Sequence, residues 1–416
     1  SRSGKLMPPR PGIISMILRS FLGMDEKQVS FVPISINYEK VLEGNSYINE
    51  VMGAKKKKEN LKDIFSVFRD FRNYLGEAYL QFGEPISLNA LLEEYPLDDF
   101  SSEKDWLFKV TPVLGKRIMT NINNSTVVTS TALFSLAILN SDGFSISKQE
   151  LVSRIELLKS LLEEDKYSAK TLICEKTGEE IIDQMKNLGF LSKEDINDRI
   201  SLTNLEAAKL SFYRNNISHL LIFESLICGF FQYQKEIVKE DLLQSIKMIY
   251  PFLKEEFFLK WDEADLDQLI NLKLNKLINK NLILEDSNNY KRPDFKSREF
   301  YETQSLGKLV QPSIDRFYVL ISQLWKNSAE HISKNELERN SLEILKNLEK
   351  TQARLTPEFS EKWMFDVFLN RLIENKYVRE DDKGMLYPTR ITQRLEKDAN
   401  KFLEPNWLKE LSKSTT

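Results

Sequence analysis

Two stretches almost a hundred residues apart share one hydrophobic pattern, and together they limit the folds open to the second half of this chain. Asn275-Lys276-Leu277-Ile278-Asn279-Lys280-Asn281-Leu282-Ile283-Leu284-Glu285-Asp286 matches Asn370-Arg371-Leu372-Ile373-Glu374-Asn375-Lys376-Tyr377-Val378-Arg379-Glu380-Asp381 position by position. Each copy reads as a helix end, a short strand and a turn, with Tyr290 or Tyr387 opening a return strand. Asp183 to Ile200 is a weaker third version. Packing modules are the reading this small repeated unit favours.

The pattern is similar to a winged helix, a shape often used on DNA. The turns argue against that use: Ser287-Asn288-Asn289 and Asp381-Asp382-Lys383-Gly384 carry too little positive charge to grip phosphates. The net charge of −3 points the same way, since nucleic-acid binding draws on a basic excess. No nucleic-acid partner is expected. Only Cys174 and Cys228 are present, too few for a disulfide framework or a zinc site, and this suits a reducing compartment.

With 416 residues, the chain exceeds what one core usually supports, so more than one unit is expected. Residues 1–95 read as mixed α/β. Phe31 to Ile36 is a short apolar run suited to a buried strand, with Pro33 where no ladder donor is needed. Asn60 to Leu75 places Leu61, Ile64, Phe65, Phe68, Phe71 and Leu75 on one helix face. Ala78 to Phe82 reads as a further strand, closed by Gly83-Glu84-Pro85. Strand, helix and strand in that order fit a crossover unit of a parallel sheet. After Pro96 long helical periods take over, giving a helical region at 96–235 and one with repeated helix-hairpin units at 236–416. Ser147 and Glu150 have capping-box spacing ahead of the apolar positions Leu151, Ile155, Leu158 and Leu162. Ile217 to Phe231 is the longest apolar stretch. It is interrupted by His219 and Glu224 and too short to span a bilayer, so a buried helix is expected, with an interfacial helix as the alternative.

Few residues invite chemistry. Lys55-Lys56-Lys57-Lys58 precedes the Leu61 helix, where cations oppose the macrodipole. A solvated helix start is the ordinary explanation; an anionic lipid surface or the phosphates of a donor molecule are the others. His219 and His331 are the only histidines, each followed five residues later by a carboxylate, Glu224 and Glu336. Five helical positions turn about 500°, which separates the side chains, so neither pair forms a catalytic dyad. His219 reads as part of a buried, hydrogen-bonded cluster. No nucleophile elbow, phosphate loop, dinucleotide fingerprint or Cys/His metal spacing occurs.

Ser1-Arg2-Ser3-Gly4-Lys5 and Phe31-Val32-Pro33-Ile34-Ser35-Ile36-Asn37-Tyr38-Glu39 together resemble the third and fourth sequence blocks of the glycerolipid acyltransferases, most closely the bacterial glycerol-3-phosphate acyltransferase family. Asn121-Ile122-Asn123, Tyr213 to His219 and Asn370 to Pro388 extend the resemblance. It implies an α/β acyltransferase domain, of which 1–95 is the C-terminal part, followed by a mainly α-helical region with winged-helix-like units. It further implies acyl transfer from acyl-CoA or acyl-carrier protein to the 1-hydroxyl of glycerol 3-phosphate, with no cofactor besides the acyl donor as co-substrate. Ser1, Arg2, Ser3, Gly4 and Lys5 would hold the phosphate, because guanidinium and ammonium groups match its oxygens and a glycine allows close backbone approach. Val32, Pro33, Ile34, Ser35, Ile36, Tyr38 and Glu39 would shape the acyl-donor pocket. The family's third block reads roughly Phe-x-Glu-Gly-Gly-Arg-Ser-Arg-x-Gly-Lys, so the resemblance puts its first half, and the catalytic His-x4-Asp pair, before Ser1. This chain alone is expected to be nearly inactive, and the enzyme to sit peripherally on the cytoplasmic face of the inner membrane. Alternatives are a related acyltransferase acting on dihydroxyacetone phosphate or lysophosphatidate, a docking module without activity, and a nucleic-acid-binding array.

Overall fold

A computed structural model describes residues 3–24, 28–41, 76–191, 198–327, 331–352 and 362–395, together with Leu403. Helix α1 (Pro11–Leu22) comes first, its opening turn fixed by Pro11 and its inner face made by Ile14, Leu18 and Phe21. Strands β1 (Ser30–Phe31) and β2 (Ile34–Tyr38) lie either side of Pro33, and β3 (Ala78–Phe82) and β4 (Ile86–Ser87) follow. The Asn60–Leu75 helix and Lys55 to Lys58 lie outside the described residues. Expectation and structure part at the crossover: β2 pairs with β3 antiparallel, from Ile34 opposite Phe82 to Tyr38 opposite Ala78, and β1 pairs with β4 antiparallel. The long connection between β2 and β3 leaves the chain free to return in either direction, and the strand pattern alone does not fix which.

Helices α2 (Leu88–Glu94) and α3 (Glu103–Asn124) start at Ser87 and Ser102, whose hydroxyls accept from backbone amides of the first turn. Leu88, Leu91, Trp106, Val110 and Leu114 complete a small core with the buried face of α1. Thus α3, which its pattern assigns to the helical region, packs with the N-terminal segments.

The larger core begins at β5 (Val127–Val128) and α4 (Ser130–Leu139), a helix buried on every side. Strand β6 (Ser145–Ser147), α5 (Lys148–Glu164), β7 (Leu172–Ile173), α6 (Gly178–Asn187), β8 (Arg199–Ser201) and α7 (Asn204–Ile217) follow. The capping box forms as read: Ser147 Oγ accepts from Glu150 N at 3.2 Å, and Ser147 N donates to Glu150 Oε2 at 3.3 Å. Leu151, Ile155, Leu158 and Leu162 are all buried. A 3-10 turn, Ser218–Leu221, leads into α8 (Ile222–Phe230), and this whole apolar stretch is interior. Glu224 is tolerated there because Lys273 Nζ at 3.0 Å and Lys276 reach it from a neighbouring helix.

The remainder comprises β9 (Glu236–Val238), α9 (Lys239–Phe257), α10 (Leu266–Asn279), β10 (Leu284–Asp286), β11 (Asn289–Lys291), α11 (Arg298–Gly307) and α12 (Gln311–Lys326). Then come β12 (Ile332–Ser333), α13 (Lys334–Gln352), α14 (Lys362–Glu374), β13 (Val378–Glu380) and β14 (Met385–Pro388). The sequence repeat is a structural one. In each copy a strand, two helices and a hairpin close into a three-stranded sheet, ordered β10-β11-β9 and β12-β14-β13, with the strand carrying Tyr290 or Tyr387 in the middle. The helix ends share one device: Asn281 and Lys376 are left-handed, and the next residue donates back five positions, Leu282 to Leu277 at 2.9 Å and Tyr377 to Leu372 at 2.8 Å. In the weaker third copy Gly189 takes the left-handed position and Phe190 donates to Met185 at 2.9 Å.

Candidate functional site

The loop at Ser3 to Lys5 is pinned against helices distant in sequence. Gly4 has φ +82°, and a Cβ there would fall 2.1 Å from the Phe212 carbonyl oxygen, so only glycine fits. Asn215 Nδ2 donates to the Ser3 carbonyl at 2.7 Å. The Lys5 ammonium is buried, ion-paired with Glu256 and 4.5 Å from the centre of the Phe257 ring. Glu256 also accepts from Arg316 Nη2 at 2.5 Å and Ser313 Oγ at 2.8 Å. Burial alone would raise the Glu256 pKa; the Arg316 and Lys5 charges, with hydrogen bonds from Lys5 and Ser313, outweigh it and hold the carboxyl below its ordinary value. Ser1 and Arg2 lie outside the described residues.

The run Phe31 to Ile36, expected as a buried strand, is not buried throughout: Ser35 and Asn37 of β2, with Glu39 just beyond it, point inward, while Ile34, Ile36 and Tyr38 are exposed. The inward set is satisfied: Asn37 Oδ1 accepts from Ser35 Oγ at 2.9 Å and Val127 N at 3.2 Å. Glu39 caps α4, accepting from Ser130 N and Thr131 N at 3.2 Å each and from Thr131 Oγ1 at 2.6 Å. A carboxylate at a helix start also meets the positive end of the dipole. Outward, Ile34 stands opposite Phe82 and Ile36 opposite Leu80, forming with Tyr38 an exposed apolar ladder. Pro33 is buried, and its carbonyl accepts from Gly83 N at 2.8 Å.

Between the loop and β2 lies a cavity of about 260 Å³, lined by Gly4, Lys5, Ile34, Ser35, Ile36, Asn37, Asn123, Asn215, His219 and Glu256 among others. Gly4, Lys5, Ile34, Ser35 and Ile36 therefore share one hollow. Val32 and Tyr38 are exposed elsewhere, and Glu39 is turned into the core against α4. His219 is buried in a hydrogen-bonded cluster, as read, and also faces this cavity. Its Nε2 lies 3.3 Å from Thr126 Oγ1 and 3.4 Å from the Asn123 carbonyl, and Tyr167 meets the ring edge-on at 5.2 Å. Burial lowers its pKa to about 4, against a smaller opposing effect of the Asn123 hydrogen bond. His219 and Glu224 have separate partners and form no dyad. His331 stacks on Tyr387, ring centres 4.0 Å apart.

Glu256 and Arg316 carry much of this arrangement without a local sequence signal. Asn37, Asn123 and Asn215 fall in segments that the resemblance includes, and Asn123 Nδ2 ties α3 to the end of α9 by donating to the Phe257 carbonyl at 2.6 Å. Among the described residues no group of three or more His, Cys, Asp or Glu is placed to hold a metal ion. No described helix is long and apolar enough to cross a membrane.

Residues 47–381 match the family described as "Glycerol-3-phosphate acyltransferase C-terminal region", and the chain belongs to that family. The glycerol-3-phosphate acyltransferase of Pseudomonas paraeruginosa is 30% identical over 413 residues, 97% of this chain and 50% of that protein. That of Pseudomonas fluorescens is 31% identical over 394 residues, 93% of this chain and 47% of that protein. The chain thus spans about half the length of the curated relatives it matches.

Proposed function

We propose that this chain is the part of a glycerol-3-phosphate acyltransferase that seats the phosphate of the acceptor and walls one side of the acyl-donor site. The observation that carries the reading is the cavity shared by Gly4, Lys5 and the Ile34–Ile36 strand. Ser1, Arg2, Ser3 and the Gly4 loop meet the phosphate. Lys5, whose charge is already shared with Glu256, chiefly fixes the loop. The apolar ladder of Ile34, Ile36, Leu80 and Phe82 gives an acyl chain a surface to lie against.

In the reaction a base takes the proton of the 1-hydroxyl, the oxygen bonds to the acyl carbon, and the carbon–sulfur bond breaks to release the thiol of acyl-CoA or acyl-carrier protein, giving lysophosphatidate. The resemblance assigns that base to the His-x4-Asp pair before Ser1. Positioning by the phosphate loop aims the hydroxyl at the thioester carbonyl. No further cofactor is required. The enzyme works peripherally at the cytoplasmic face of the inner membrane. In our reading 1–95 belongs to the catalytic α/β layer, while 96–235 and 236–416 buttress it through winged-helix-like packing modules that do not engage nucleic acid.

Lysophosphatidate formation by this chain, set beside a chain extended upstream through His-x4-Asp, tests the proposal. Turnover should require the extension, and equal turnover would refute the assignment of the base. An acceptor panel of glycerol 3-phosphate, dihydroxyacetone phosphate and lysophosphatidate fixes the substrate; a preference for either of the latter two would overturn the acceptor named here.

A further inference from the structure

We infer that α1 is the surface by which the protein docks on an anionic phospholipid bilayer. The inference deepens the proposed action at a membrane, but rests on features of α1 itself. Its inner face, Ile14, Leu18 and Phe21, is locked into the core shared with α3, so the helix needs no ordering on contact. Its outer face presents Ile13 and Met16, 66% and 68% exposed, and Met7 and Met24 lie uncovered beside its ends. A large apolar side chain gains about 1.5–3 kcal/mol when it leaves water, so inserting these two residues, one turn apart, into a lipid interface is favourable.

Charge identifies the partner. From Leu6 to Met24 the only ionisable side chains are Arg10 and Arg19, and no carboxylate occurs. Among the described residues Arg19 pairs with Glu103 at 4.0 Å, and both are well exposed. Such a surface pair contributes little and leaves the guanidinium available. A rigid apolar face flanked by arginines has the composition of a helix lying in the plane of a lipid interface. Two copies of this chain meeting through α1 would bring like charges together. An apolar crevice of about 260 Å³, lined by Met16, Ile17, Phe21, Met24 and Val29, runs along the same helix and suits an inserted lipid tail. Because α1 starts six residues after Lys5, docking there brings the phosphate loop close to the interface into which an acylated product would pass.

Flotation of the chain with phosphatidylcholine vesicles, with or without phosphatidylglycerol, tests this directly. The chain should float with the anionic vesicles, and Ile13→Asp with Met16→Asp should weaken that partitioning about tenfold or more. Arg10→Gln and Arg19→Gln should each weaken binding to anionic vesicles about fivefold and leave the neutral ones unaffected. Because Ile13 and Met16 are exposed, the double variant should keep the parent's circular dichroism and melting. The exposed β2–β3 ladder supplies a rival surface, so Leu80→Asp is the control and should float like the parent. No flotation of the parent, equal flotation of the α1 double variant, or loss only in Leu80→Asp would overturn the inference. None of these readouts uses acyl transfer, so they stand even if the catalytic reading fails.

Discussion

His219 sets a pH limit on folding that can be measured at a single site. In the folded protein the ring is buried and stays neutral down to about pH 4, whereas an unfolded chain protonates it below about 6.5. Unfolding therefore takes up a proton throughout that window, and stability falls as pH falls through it. The gap from about 6.5 to about 4 corresponds to roughly 3 kcal/mol in all, of which roughly 2 kcal/mol is lost between about pH 7 and about pH 5. The buried carboxylates act in a lower window. Glu256 and Glu224 titrate below their ordinary 4.5 when folded, so their stabilisation is present above that value and disappears as pH falls through the folded pKa. His219→Gln keeps a hydrogen-bonding group near Nε2 and cannot titrate. Denaturant unfolding of the parent and the variant at both pH values, with the difference taken between them, isolates the histidine. The parent should lose about 2 kcal/mol more than the variant on acidification. With only two histidines in the chain, carbon-13 NMR of the ring Cε1 positions, assigned through His331→Gln, reads the titration itself. A His219 midpoint near 6.5, or identical pH dependence of the two proteins, would refute the reasoning.

Removing the carboxylate of Glu256 as Glu256→Ala leaves Lys5 and Arg316 buried without their shared counter-charge and should cost about 3–5 kcal/mol in denaturant unfolding; a loss below about 1 kcal/mol would contradict the network. Gly4→Ala forces a Cβ onto the Phe212 carbonyl and should raise the KM for glycerol 3-phosphate of the upstream-extended enzyme by about tenfold or more, with a smaller effect on kcat. An unchanged KM would place the loop outside the phosphate site.

Sequence reading succeeded where a local rule decides the matter. The capping box of Ser147 and Glu150, the strand at Ala78 to Phe82 and the repeated helix ends before Leu282 and Tyr377 each depend on neighbours a few residues away. Facing in β2 had no such rule. Ile34 and Ile36 alternate with Ser35 and Asn37, so one residue of register decides which set is inside. Only the amides of Val127, Ser130 and Thr131, far along the chain, make the polar set the buried one. Helix α1 does carry a local signal, in Pro11 and the apolar positions Ile14, Leu18 and Phe21. The Glu256–Arg316 support beneath Lys5 left no trace, because its members come from α9, α12 and the opening loop.

Lys5 and Glu256 are separated by 251 positions, and Arg316 lies further still. Ribosomes add about 5–20 residues per second, so the opening loop waits some tens of seconds for the groups that fasten it. During synthesis that segment is exposed to chaperones and proteases, and a message cut short before α12 yields a loop with part of its anchorage missing. The Ser3–Lys5 loop gains its last fastening only after α9 and α12 have been made, so synthesis of those distant helices is a condition for assembling it.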